Sequence, residues 1–82
     1  MNSELAEKTS LLALKVSAEL NKHLHEIKNE CSSEEFFAFR ESTAKIMGEL
    51  QFGFMNPIYE EHPDLKPREL GGDYDINPAI YT

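Results

Sequence analysis

Glu19, His23, Glu26 and Glu30 recur at intervals of four, three and four, so on a helix they line up as three carboxylates and one imidazole. Two such ladders facing each other in a bundle could hold divalent metal ions. The known carboxylate-bridged sites use Glu-x-x-His, however, and draw further carboxylates from a facing helix. Here Glu34, Glu35, Glu41 and Glu49 of the next helical segment map to its outer side. The expectation is therefore no metal and no cofactor, with His23 half-buried and paired with Glu19 or Glu26. A metal- or small-ligand-binding helical bundle built on Glu19, His23 and Glu26 stands as the alternative.

Other reactive side chains carry less. Cys31, the single cysteine, has Glu30, Glu34 and Glu35 around it, and negative neighbours disfavour the thiolate a nucleophile needs. His25 falls on the polar side of its helix, and His62 precedes Pro63 in a loop. No phosphate-cradling glycine loop, no H-E-x-x-H and no Ser/His/Asp order is present, and Gly71–Gly72 reads as a turn. The chain does not read as an enzyme.

Two long helices position these residues. Residues 3–30 contain no proline or glycine, and Leu5, Leu12, Val16, Leu20, Leu24, Ile27 and Cys31 form one apolar stripe. Glu4–Lys8, Lys15–Glu19 and Lys22–Glu26 are opposite charges one turn apart. Ser32 followed by Glu35 is a capping box that starts a second helix over residues 33–54, with Cys31 and Phe36 as its hydrophobic staple. On that helix Phe36, Phe39, Thr43, Ile46, Met47, Leu50 and Phe54 share an arc that faces the first helix, and Arg40 sits at the arc's edge. So short a connection turns the second helix back along the first. Asn56–Pro57 reads as the N-cap and first turn of a short helix over residues 57–62. Another turn over residues 66–70 ends at Gly71–Gly72. The expected organisation is a helical hairpin domain, 1–70, and an extended C-terminal tail, 71–82, within an all-α fold.

Each helix also has a second apolar line. Leu11, Leu14 and Ala18 lie opposite the main stripe of the first, and Phe37, Ala44 and Gly48 lie about a quarter-turn from the main arc of the second. In an antiparallel hairpin both lines fall toward one end, which suggests a homodimer closing a four-helix bundle through these six residues. The competing explanation is cover by the chain's own Ile58, Tyr59, Leu65 and Leu70.

Charge and size narrow the function. The chain has 82 residues and a net charge of −7. Residues 1–29 balance four acids with four bases, whereas residues 30–82 carry eleven acids and four bases. Such a surface repels phosphate, which disfavours direct nucleic-acid binding, and steers the chain toward a basic partner. No stretch approaches the apolar length of a membrane span, and a lone cysteine suits a reducing compartment, so the expected setting is soluble and cytoplasmic. Phe52, Phe54, Met55 and Tyr59, rimmed by Glu60, Glu61 and Asp64, form either a plug for the open end of the hairpin or a docking patch for a protein partner. The sequence thus points to a small acidic homodimeric interaction module, a regulator or inhibitor of an unidentified basic protein. An acidic mimic that occupies a nucleic-acid-binding protein is a further reading.

Overall fold

A computed structural model describes residues 1–81; Thr82, the last residue of the expected tail, lies outside the described residues. The described residues are all-helical, with one isolated bridge between Pro67 and Tyr74 and no strand. Helix α1 spans Ser3–Ile27 and α2 spans Ser33–Glu49. A π-helical segment, Leu50–Met55, leads into α3, Asn56–Glu61, and three-ten turns follow at Pro63–Leu65, Arg68–Leu70 and Pro78–Tyr81.

The Asn2 side chain opens α1 by accepting from the Leu5 amide at 2.9 Å, and Lys8 reaches Glu4 at 3.5 Å. The helix stops at Ile27, three residues short of the expected end, in a turn closed by Glu30 N–H donating to the Ile27 carbonyl. Ser32 and Glu35 then form the reciprocal capping box, each bond 3.1 Å long. The two bonds from Ser32 hold the Glu35 carboxyl below the ordinary glutamate range.

The chain does not break at Asn56–Pro57. Glu49, Leu50, Met55 and Asn56 all keep right-handed helical dihedrals, so helical backbone continues from Ser33 to Glu61. Proline inside an α-helix lacks an amide donor, and its ring clashes with the carbonyl four residues back. The wider π turn places bonds at i→i−5, as in Asn56 N–H to the Gln51 carbonyl, and so accommodates Pro57. Asn56 is therefore no N-cap; its side-chain carbonyl accepts from Gln51 Nε2 at 2.7 Å.

Continuity brings α3 back against the start of α1, and the core forms there. Ala6, Ala13, Met55, Ile58, Tyr59 and Leu65 are buried, with Leu14, Leu50 and Tyr74 packed around them. The buried line of α1 is Ala6, Ser10 and Ala13, one step round from the expected Leu5–Leu12 stripe, and Leu12 is 58% exposed. Small side chains let another helix approach closely. They also admit the Tyr59 hydroxyl, which shares a buried 2.6 Å hydrogen bond with Ser10 Oγ.

The tail departs from an extended arm. Gly71 takes φ +92, and Gly72 N–H donates to the Pro67 carbonyl at 2.9 Å. A Cβ at Gly72 would overlap the Lys66 carbonyl, so the turn requires glycine there. Tyr74 then pairs with the backbone of Lys66 and Arg68, and its hydroxyl donates to Glu7 Oε2 at 2.8 Å. Asn77 caps the final turn through the Ala79 amide, and that turn, Pro78–Tyr81, lies against α1.

Candidate functional site

Around α1 the neighbours divide into sectors. At about 100° per residue, Ala6, Ala13 and Leu24 mark the side toward α2 and α3, while Leu14 and Ala18 mark another about 100° away. That second sector belongs to the tail: Leu14 lines one cavity with Pro67, Leu70, Ile76 and Tyr81, and Ala18 lines another with Tyr81. The α1 half of the expected dimer face therefore meets the chain's own C-terminal segment, with Leu11 half-buried beside it. Ile58, Tyr59 and Leu65 belong to the core cluster against which Leu14 packs, and Leu70 shares the cavity beside Leu14.

The α2 half of that face is uncovered. Phe37 is 60% exposed, Ala44 is exposed, and a Cβ built at Gly48 would meet nothing within 4 Å. Phe52, 73% exposed, continues this line from the π segment. The aromatic cluster thus divides by role. Met55 and Tyr59 are buried in the core, whereas Phe52 and Phe54 reach the surface with Glu60, Glu61 and Asp64. The alternation follows from the helical turn, which sends neighbouring residues to different sides. Within this cluster Glu61 is already engaged, 3.4 Å from the N-terminal amine.

On the other side of the hairpin lies a groove not anticipated from the sequence. It has a volume of about 480 Å³ and is walled by Leu20, Leu24 and Ile27 of α1 and Phe39, Thr43 and Ile46 of α2. Phe39 is 55% and Ile46 48% exposed, and the wall is nearly all apolar. These residues are the expected facing stripes, so the signal was in the spacing. What the spacing does not reveal is that α1 and α2 meet along one edge of the stripes and leave the other open.

The carboxylate–imidazole ladder stays on the surface. His23 Nδ1 is 3.8 Å from Glu26 Oε2, both side chains are mostly exposed, and Glu19 is exposed beside them. Among the described residues no three His, Cys, Asp or Glu side chains are grouped to hold a metal ion. Cys31, half-buried, donates through Sγ to the Ile27 carbonyl at 3.3 Å, which fits a staple residue. Arg40 is exposed.

Two tyrosines are perturbed at the opposite end. Burial pushes the Tyr59 hydroxyl above its ordinary pKa range, although its bond to Ser10 works the other way. Tyr74 is raised chiefly by donating to the Glu7 carboxylate, which favours the protonated phenol. Both hydroxyls are held in the packed end of the molecule, Tyr59 by Ser10 and Tyr74 by Glu7. Among the described residues no helix is long and apolar enough to cross a membrane. No family model, curated protein or solved structure matches the chain.

Proposed function

We propose that the chain is a small acidic homodimeric protein–protein interaction module, a regulator or inhibitor that docks on a basic protein. The observation that carries this reading is α2: none of its seventeen residues, all described, is buried, yet it presents Phe37 on one side and Phe39 and Ile46 on another. Exposed apolar lines rimmed by charge are the usual anatomy of a binding surface, and helical segments in proteins draw most of their stability from packing. A helix so bare gains from partners on both sides.

The outer line, Phe37, Ala44, Gly48 and Phe52, would receive the basic protein, with Phe37 and Phe52 as aromatic anchors. Residues 50–82 carry six acids and two bases, so the adjoining end would speed encounter by long-range attraction. The test uses the purified chain as bait beside two variants, Phe37→Ser/Phe52→Ser and Glu60→Lys/Asp64→Lys. A basic protein held by the wild type should be lost with the first variant. It should bind more slowly with the second and more weakly as salt rises. A bound set identical across wild type and both variants would remove this assignment.

A further inference from the structure

We infer that the open groove is filled by a second copy of this chain, laid antiparallel so that α1 meets α1 across a two-fold axis beside Val16–Ser17. This rests on the interaction-module reading and assigns the dimer contact to the face opposite Phe37 and Phe52.

The evidence is the self-complementarity of α1 along its uncovered sector. At about 100° per residue, Leu5, Leu12, Val16, Leu20 and Ile27 fall on the groove edge, and Lys8, Lys15, Glu19 and Glu26 share the flank beside it. Leu5 and Leu12 are half-exposed or more, and Val16, Leu20 and Ile27 are half-buried, so this edge is only partly covered within the chain. Its pattern is symmetric about Val16. Reversing a second helix over it sets Leu12 against the second copy's Leu20, Leu5 against its Ile27, and Val16 against its own counterpart.

The charges are antisymmetric about nearly the same point. Both lysines precede it and both glutamates follow it, so Lys15 faces the second copy's Glu19, and Lys8 faces its Glu26. A parallel two-fold pairing would set this flank against the opposite flank of the second copy, so these lysines and glutamates would not meet. The second helix runs antiparallel to α1: Ser10 bonds Tyr59, and Leu20 and Leu24 share one groove with Ile46, which places the middle of α1 beside residues 50–53. Ile46 and Phe54, both near half-exposed, lie to either side of this stretch and offer the second copy further apolar surface. A foreign helix would have no reason to match this internal symmetry.

Sedimentation equilibrium from low to high micromolar concentration tests the arrangement, with circular dichroism confirming that each variant remains helical. The wild type should approach twice 9.4 kDa. Leu12→Glu, a change at an exposed position of the single chain, should give a monomer. Lys8 and Glu26 lie about 27 Å apart along one helix and cannot meet within a chain. Lys8→Glu or Glu26→Lys alone should each weaken the dimer about tenfold, since each opposes like charges at two symmetric sites. The double variant should restore it, and mixing the two single variants should yield a heterodimer. A wild type that stays monomeric, or a dimer indifferent to Leu12→Glu and to both charge changes, overturns the inference. If a monomeric wild type nevertheless binds a basic protein through Phe37 and Phe52, the module reading stands and only the second copy is refuted. A dimer of this register that holds no protein on α2 refutes the docking surface and leaves the second copy in place.

Discussion

The two halves of α1 follow one rule of sequence and end in opposite states. Around Ala6, Ser10 and Ala13 the helix is enclosed by the π segment, α3 and Leu65, and the contact is dry enough to bury a tyrosine hydroxyl against a serine. Around Leu20, Leu24 and Ile27 the same helix has α2 beside it and an apolar groove left open. The larger side chains are in the open half and the smaller ones in the closed half. Apolar content therefore does not decide where the core forms. What decides it is how many elements converge and how closely they approach, and the alanine–serine line lets three of them do so.

The sharpest way to break this contrast is to make one truncation in each half. Ile58→Ala, in the closed half, removes buried methylenes from a packed site and should cost about 2–4 kcal/mol of unfolding free energy. The same truncation at Ile46 should cost less than about 1 kcal/mol at dilutions where the chain is single. Equal losses in urea melts would mean that the groove is not open in solution.

Gly72→Ala comes next, with an expected loss of about 1–3 kcal/mol because the new Cβ must displace the Lys66 carbonyl. Amide exchange should quicken first at Tyr74, whose N–H is bonded to that carbonyl at 3.0 Å, while amides of α2 are unchanged. Uniform acceleration across the molecule would show that the tail and the hairpin open as one unit.

A smaller effect of opposite sign is expected in the open half. Gly48→Ala meets open space and replaces a poor helix former with the best one, so the melt should gain about 0.5–1 kcal/mol. A loss, or a weakened oligomer, would show that a helix packs closely on Gly48 after all.

The halves should also separate by pH. Glu35 is held below its ordinary range, so its capping contribution is present above that range and fades as pH falls through the lowered value. Tyr59 and Tyr74 are raised, so their contribution is complete below the ordinary tyrosine range and fades as pH climbs through the raised values. Acid should loosen the start of α2 first, and alkali should loosen the closed half first. Residue-resolved exchange showing the reverse order would contradict this placement.

Several parts of this fold were legible residue by residue. An unbroken apolar period without glycine or proline makes α1, and Ser32 with Glu35 marks the start of α2, because caps and helical periods are local interactions. The position of the turn follows from the same residues. Asn56–Pro57 misled for an equally local reason: proline usually opens a helix, and the widened turn that tolerates it inside one has no sequence signature of its own. The aromatic run from Phe52 to Tyr59 could be seen to offer both a plug and a surface. Which residue did which depended on the phase of a π segment that the spacing could not supply.

By itself, then, the sequence determined what each stretch could form: two amphipathic helices, a capped reversal, a glycine turn and a charge concentrated after residue 30. The tertiary structure alone decided which apolar line became core. That choice is made by distant residues, Ser10 against Tyr59, Glu7 against Tyr74, Lys66 against Gly72, whose meeting depends on helical continuity through Pro57. Local preference acts over one turn of helix, whereas burial is settled only where separate elements meet.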